Sequence, residues 1–198
     1  MTYTLRFDGL FRSLPGGVRP VQRAGFMGFG WLIFCDDRLV AQGHGVYGHG
    51  QNATSNTAEY LALIEGLEAL GDMAVGKEPV RVIGDAKSVI EQMQGIAGIN
   101  APDVRALHRR ANRLASRFAH VKWEWMPREQ NHAADLLTRR AIRQVRLDRS
   151  AYQAAIQTLD PTQFRGRNRW KYILLLDLRV YRPTGDLRAP QPSEKMAA

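Results

Sequence analysis

Residues 80–93, "VRVIGDAKSVIEQM", change their hydrophobic pattern within a few positions. The apolar run 80–83 indicates a buried strand that stops at Gly84, and residues 89–93 then follow the spacing of a helix face. Between the two lies a carboxylate, Asp85. A buried strand that leads straight into a helix favours a sheet covered by helices.

The segments on either side extend this pattern. Residues 3–8 alternate and predict a strand that ends at Asp8, followed by a Gly/Pro loop. Residues 25–34 and 38–47 predict a hairpin. Further along the chain, helix patterns occupy 54–70, 101–118 and 131–145, and a strand pattern occupies 120–126. This order predicts an α/β fold with a mixed sheet flanked by helices.

The charge of the chain points to a class of partner. A net charge of +9 and a pI near 10.2 favour polyanions, because Lys and Arg neutralise phosphates. The single cysteine, Cys35, excludes an intrachain disulfide and suits a reducing compartment. The N-terminus has no signal-sequence pattern, and no apolar run approaches the length of about 18 residues that spans a membrane. We therefore expect a cytoplasmic protein without a membrane partner.

Four acids follow strand ends or helix starts: Asp8, Glu59, Asp85 and Asp135. Each has a purely structural interpretation. Asp8 could open a turn with Gly9, Asp85 could cap a helix, and the other two could favour the N-termini of their helices.

Taken together, the same four acids indicate a metal site. Strand ends and helix starts at the carboxyl edge of a sheet face one crevice. Carboxylates gathered there repel one another unless a cation is present. Hard oxygen ligands favour Mg²⁺ or Mn²⁺, and two such ions about 3.5–4 Å apart support in-line attack on a phosphodiester.

Residues 2–147 resemble type 1 ribonuclease H, a member of the ribonuclease H-like superfamily. The start of the chain is more similar to archaeal-type members than to the commonest bacterial enzyme. The resemblance is carried by "RFDGL" (6–10), "SNTAEYLALIEGL" (55–67), "VIGDAKSVIEQM" (82–93) and "VKWEWMPREQNHAADLLTRRA" (121–141).

The resemblance implies a five-stranded mixed sheet flanked by helices. It also implies that Asp8, Glu59, Asp85 and Asp135 bind two Mg²⁺ or Mn²⁺ ions. The implied reaction is endonucleolytic hydrolysis of the RNA strand of an RNA/DNA hybrid, leaving 3′-hydroxyl and 5′-phosphate ends. The alternatives are cleavage of another duplex, such as double-stranded RNA or branched DNA, and a catalytically silent nucleic-acid-binding module. The four intact acids argue against the silent module.

The resemblance also suggests substrate contacts. The backbone around Gly9 and the side chain of Asn56 would contact 2′-hydroxyls, which separate RNA from DNA. Asn56 could equally cap its helix. A short "MPREQN" segment replaces the Gly- and His-rich loop of the familiar bacterial pattern, so Arg128 or His132 would take over its role. The alternative for His132 is an ordinary residue in the first turn of a helix.

Arginines that repeat every four residues from Arg105, including Arg109, could replace the DNA-gripping protrusion that this chain lacks. The alternative is a solvated helix face. His44 and His49 are predicted to be loop residues near the hybrid rather than metal ligands.

These patterns divide the chain into a ribonuclease H-like catalytic domain, residues 1–147, and a basic C-terminal extension, residues 148–198. From Arg146 onward the chain has 10 basic and 5 acidic residues, and so more than half of its net charge. The extension predicts a short helix, a strand and a polar tail. Its strand could bind nucleic acid, pack on the domain or pair with a second copy, so the chain is expected to be a monomer or a homodimer.

Overall fold

The computed structural model describes residues 1–13, 24–50, 53–159 and 173–174. Its strands are β1 (Tyr3–Ser13), β2 (Gly25–Cys35), β3 (Arg38–His49), β4 (Pro79–Gly84), β5 (His120–Trp125) and β6 (Ile173–Leu174). They form one sheet in the order β5-β4-β1-β2-β3-β6. β4 runs parallel to both β1 and β5, whereas the remaining pairs are antiparallel. The five-stranded mixed sheet is confirmed, and β6 adds a short sixth strand at its edge.

Helices cover both faces of the sheet. They are α1 (Ser55–Asp72), α2 (Lys87–Met93), α3 (Pro102–Ala115), α4 (His132–Leu147) and α5 (Arg149–Thr158). The apolar faces of α1, α2 and α3 pack into the main core, while α4 and α5 pack on the opposite face. In the described part of the chain, no helix has the length and apolar character needed to cross a bilayer.

Along β2, large apolar residues on one face of the sheet alternate with glycines on the other face. Met27, Phe29 and Trp31 are fully buried in the main core. Glycines lie between them and face α4: a Cβ on Gly30 would lie 2.6 Å from the Cβ of Leu137. Any larger residue at this position would therefore push α4 away from the sheet.

A second close approach joins β1 to α1. A Cβ on Gly9 would lie 2.3 Å from both the carbonyl carbon of Ala58 and the backbone nitrogen of Glu59. Glycine thus brings the second turn of α1 against the strand next to Asp8.

The prediction that the first strand ends at Asp8 was wrong. β1 continues to Ser13 because it stays paired with β2 as far as Gly25. Its parallel pairing with β4, however, stops at Phe7 opposite Gly84. Asp8 therefore lies within a strand, at the point where the neighbouring strand ends.

The hairpin of β2 and β3 is confirmed, but its two histidines are not loop residues. Both His44 and His49 lie in β3 and are buried, because the ladder continues to the Gly25–His49 pair. The Nε2 atom of His44 forms a 3.0 Å hydrogen bond with Oε1 of Gln144 in α4.

The described part of the C-terminal extension packs on the domain. Ala155 and Leu159 are buried in a cluster with Phe26 and Val46. β6 continues the sheet beyond β3. The predicted strand is described only at the two residues of β6, and the predicted polar tail lies outside the described residues. The boundary at residue 147 and the homodimer stay predictions.

Candidate active site

Three of the four predicted acids come together at one edge of the sheet. Asp8 projects from β1, Glu59 from α1, and Asp85 follows the last residue of β4. One carboxylate oxygen from each lies within 4.8 Å of the others. The side-by-side pairing of β1 with β4 places two of these acids, and the close contact at Gly9 places Glu59.

Each of these three carboxylates, the acid cluster, accepts a hydrogen bond from a neutral group. Among the described residues, no Lys, Arg or His forms an ion pair with any of them. The hydrogen bonds run from Gly9 N to Glu59 Oε2 (3.1 Å), from Thr138 Oγ1 to Asp8 Oδ2 (2.9 Å) and from Asn131 Nδ2 to Asp85 Oδ1 (3.0 Å).

Repulsion between the clustered carboxylates contributes to raised pKa values of Asp8 and Glu59. Burial, followed by the charge of Asp85, raises the pKa of Asp8 to about 6. Burial also raises the pKa of Glu59 well above its ordinary value, and the charges of Asp8 and Asp85 add to this effect. These are the shifts expected of carboxylates that share a poorly solvated site without a cation.

The donor set fits hard divalent cations. All three ligand groups are carboxylates, whose oxygens Mg²⁺ and Mn²⁺ prefer. A cation would offset both the cost of burying the charged carboxylates and their mutual repulsion. Among the described residues, the buried Oδ1 of Asn131, on the amide that donates to Asp85, has no hydrogen-bond partner.

The fourth acid, Asp135, has a different environment. It lies in the first turn of α4, as predicted, and is buried. Arg139 Nε approaches its Oδ2 to 2.5 Å, and Arg128 Nη2 approaches its Oδ1 to 3.1 Å. Burial acts to raise the pKa of Asp135, but the hydrogen bonds from Arg139 and Arg128 outweigh it and lower the pKa. Asp135 is close enough to raise the pKa of Asp8, yet it is not one of the three converging acids. Its role as a ligand stays a prediction.

The structural alternatives for the clustered acids were wrong. The N-cap of α2 is Ala86, and no side chain caps that helix, so Asp85 is not a cap. The first turn of α1 contains no acid, and Glu59 lies after it. Asp8 opens no turn, because the strand continues past it.

Asn56 is not a helix cap either. Thr54 caps α1, since its Oγ1 accepts a 3.1 Å hydrogen bond from the backbone N–H of Thr57. The Oδ1 of Asn56 instead accepts a hydrogen bond from Ser88 at the start of α2, at 3.2 Å. Its contact with a 2′-hydroxyl stays a prediction, as does that of the backbone at Gly9, whose N–H is already donated to Glu59.

The predicted basic contacts lie at different distances from the acids. Arg128 is largely exposed in a 3-10 turn before α4 and reaches Asp135. His132 is the exposed first residue of α4. Arg105 and Arg109 lie on the exposed face of α3, where Arg105 donates to the carbonyl of Ile99. Nothing joins the α3 arginines to the acids, so their substrate role stays a prediction.

Sequence reasoning missed three residues that contact the cluster. Asn131 was predicted only as the first residue of a helix pattern, and Thr138 was assigned no role. Thr138 lies one turn after Asp135 and so could have been found by its helical spacing. Trp125 is half exposed and donates its Nε1–H to the backbone oxygen of Asp85 at 3.0 Å. Its strand pattern gave no sign of this contact.

Comparisons with known proteins agree with this geometry. Residues 16–141 match a family described as reverse transcriptase-like. The chain is 31% identical over 163 residues to the bifunctional protein Rv2228c of Mycobacterium tuberculosis, covering 82% of this chain and 40% of that protein. It is 35% identical over 137 residues to ribonuclease HI of Halobacterium salinarum, covering 69% of this chain and 62% of that one. The chain thus spans less than two thirds of the length of these relatives.

Solved structures show the same fold. The N-terminal RNase H domain of Rv2228c, 30% identical, superposes with a TM-score of 0.59 over 79% of this chain and 97% of that chain. RNase H1 of Halobacterium salinarum, 31% identical, superposes with a TM-score of 0.61 over 73% of this chain and 99% of that one. The resemblance noted in the sequence is confirmed: the chain belongs to the reverse transcriptase-like family and has the type 1 ribonuclease H fold.

Proposed function

We propose that this chain is a metal-dependent endoribonuclease that hydrolyses the RNA strand of RNA/DNA hybrids by a two-metal-ion mechanism, leaving 3′-hydroxyl and 5′-phosphate ends. The observation that carries the proposal is the convergence of Asp8, Glu59 and Asp85 within 4.8 Å, with no ion pair to any of them from the residues that the structure describes. Carboxylates in this arrangement favour divalent ions over a purely structural role.

The side chains around the cluster prepare it for this chemistry. When bound there, Mg²⁺ or Mn²⁺ would lower the pKa of an attacking water and neutralise charge on the leaving oxygen. Thr138 and Asn131 hold the carboxylates of Asp8 and Asp85, while the N–H of Gly9 holds that of Glu59. Asp135 is the predicted fourth ligand, and each of its oxygens accepts from one arginine and retains a lone pair for a cation.

The hybrid substrate rests on relatives and on charge. The Halobacterium relative is named ribonuclease HI, and the net charge of +9 suits a polyanionic duplex. Asn56 lies on the first turn of α1, the helix that also carries Glu59. We propose it as a contact to the 2′-hydroxyls of the RNA strand. The cytoplasmic location and the monomeric or homodimeric state belong to the same proposal.

The test uses three labelled duplexes of one sequence: an RNA/DNA hybrid, duplex DNA and duplex RNA. Each is incubated with the full chain in Mg²⁺, in Mn²⁺ and in EDTA. We expect internal cuts in the RNA strand of the hybrid, only with metal, and products whose 5′ ends are phosphorylated. End analysis with a phosphatase and a kinase separates 5′-phosphate from 5′-hydroxyl products.

The other outcomes separate the alternatives. Cleavage of duplex RNA, or of branched DNA added as a fourth substrate, would assign the same site to another duplex. Binding of the hybrid without cutting in either metal would make the chain a silent nucleic-acid-binding module. Cleavage that persists in EDTA would remove the metal mechanism.

A further inference from the structure

Asn131 occupies the N-cap position of α4 but does not cap the helix. Its side chain makes no hydrogen bond to the first turn, although Asn is among the residues best suited to do so. The residue is buried, with 1% of its surface exposed, and its amide donates to other groups instead.

Both amide hydrogens of Asn131 have acceptors. Nδ2 donates to the backbone oxygen of Phe7 at 2.8 Å and to Oδ1 of Asp85 at 3.0 Å. Since a carbonyl and a carboxylate can only accept, the NH₂ end of the amide must face them. The Oδ1 end is therefore the buried acceptor that has no partner among the described residues.

These two bonds link the positions of two clustered acids. Phe7 immediately precedes Asp8 in β1, so one side chain ties the carboxylate of Asp85 to the backbone that carries Asp8. Thr138 holds its acid less firmly than Asn131 does. Its single hydroxyl hydrogen is shared between Asp8 Oδ2 at 2.9 Å and the backbone oxygen of Asp135 at 2.7 Å. Asn131 has a hydrogen for each of its acceptors.

We propose that Asn131 is a positioning residue of the metal site, which orients the carboxylate of Asp85 for cation binding. The inference rests on the proposed function, because it presumes that the cluster binds divalent ions. Groups that hydrogen-bond to a ligand fix its orientation, and their loss typically costs about 10–100-fold in metal affinity. Asn131→Ala is expected to weaken metal binding by such a factor.

The experiment measures metal binding directly on the full chain, without substrate. Mn²⁺ affinity is determined by electron paramagnetic resonance and Mg²⁺ affinity by calorimetry, and the unfolding temperature is recorded in EDTA. Gln94→Ala is the matched control, because it removes an amide hydrogen bond to the backbone oxygen of Trp123 and none of the hydrogen bonds to the clustered acids. Asn131→Ala should weaken metal binding, whereas Gln94→Ala should leave the affinity within about twofold of wild type.

A double-mutant cycle separates positioning from general stabilisation. If Asn131 acts through the carboxylate of Asp85, Asn131→Ala should lower Mn²⁺ affinity little further in an Asp85→Asn background. An equal loss in both backgrounds would overturn the inference in favour of a structural role. Asn131→Ser, which keeps one hydroxyl donor in a smaller side chain, supplies a second variant if the alanine variant is unfolded in EDTA. It should give an intermediate affinity.

The inference and the proposed function fail in different ways. A wild-type chain that binds neither metal would remove the proposed function. A wild-type chain that binds metal while Asn131→Ala and Asn131→Ser bind it equally tightly would overturn only the role of Asn131.

Discussion

The acid cluster and Asp135 lie at the same edge of the sheet, yet the chain treats them in opposite ways. Asp8, Glu59 and Asp85 are held by neutral donors, and burial with mutual repulsion raises the pKa of two of them. Asp135 has two arginines on its two carboxylate oxygens, and its pKa is lowered. In the part of the chain that the structure describes, ion pairs reach Asp135 but none of the three clustered acids.

The difference teaches where to look for function. A buried carboxylate paired with arginine needs no ligand to explain it, since ion pairing offsets the cost of its burial. Three converging carboxylates held by neutral donors destabilise the fold, and such strain is retained at sites that bind something. Sequence motifs alone gave all four acids the same weight.

The largest expected effect compares one member of each group. Asp85→Asn should reduce turnover of a hybrid by more than the roughly 100-fold that loss of an outer partner can cost, because it removes a direct metal ligand. Asp135→Asn should cost less, because the chain already neutralises Asp135. Single-turnover cleavage rates and hybrid affinities in Mg²⁺ check both, with hybrid binding expected to survive in Asp85→Asn.

Equal losses of cleavage rate in the two variants would contradict this difference and would mean that Asp135 contributes to metal binding as much as Asp85 does. Near-normal turnover in Asp85→Asn would mean that Asp85 holds no metal.

The second prediction concerns pH in the absence of metal. The pKa of Asp8 rises on folding from 3.8 to about 6, so the folded chain holds this proton more tightly than the unfolded chain. The free energy of unfolding should therefore decrease as pH rises from about 4 to 6. The decrease from Asp8 is on the order of 3 kcal/mol. Urea unfolding in EDTA across this range checks it.

Asp8→Asn should flatten this profile and stabilise the metal-free chain at neutral pH. Added Mg²⁺ should restore stability to wild type above pH 6 but not to the variant, since a ligand that binds the folded state stabilises it. A wild-type profile that rises from pH 4 to 6 would show that the cluster is not strained.

The third prediction tests the contact that positions Glu59. Gly9→Ala would place a Cβ 2.3 Å from backbone atoms of Ala58 and Glu59, so α1 must shift. We expect a destabilisation of about 1–3 kcal/mol and weaker metal binding. Gly71→Ala, in the last turn of the same helix, meets nothing within 4 Å and should stabilise by about 0.5–1 kcal/mol. Thermal unfolding and Mn²⁺ titration of both variants check this. Unchanged metal affinity in Gly9→Ala would mean that the position of Glu59 does not affect metal binding.

The order of strands and helices was predictable because each element carries its own periodicity. The length of β1 was not, because the Gly/Pro-rich residues after Asp8 have loop composition, and only pairing with β2 holds residues 9–13 in a strand. His44 and His49 were misplaced for the same reason, since glycines around them indicated a loop while the ladder with β2 continued.

The site was predictable as residue types but not as electrostatics. Family-like motifs identified the acids, and their positions at predicted strand ends and helix starts indicated that they share one edge of the sheet. The partners of Asp135 depend on the direction in which α4 presents its first turn, and those of Asp85 depend on a rotamer of Asn131. Neither follows from spacing along one chain. The role of Asn131 was hidden because Asn before a helix already has an ordinary explanation as a cap.

The smallest expected effect tests the paired half of the comparison. Arg139→Gln removes the closer of the two arginines on Asp135, and Arg140→Gln removes an adjacent exposed arginine that forms no ion pair within the described residues. Because half of the Arg139 side chain is exposed, its loss should cost at most about 1 kcal/mol at neutral pH. Asp135 has a lowered pKa in the folded state, so this contribution is present above its ordinary pKa of 3.8 and is lost as pH falls below it. Urea unfolding of both variants at neutral and acidic pH checks the difference. A loss in Arg139→Gln that matches Arg140→Gln at neutral pH would mean that Arg128 alone neutralises Asp135, leaving one of its oxygens available to a cation.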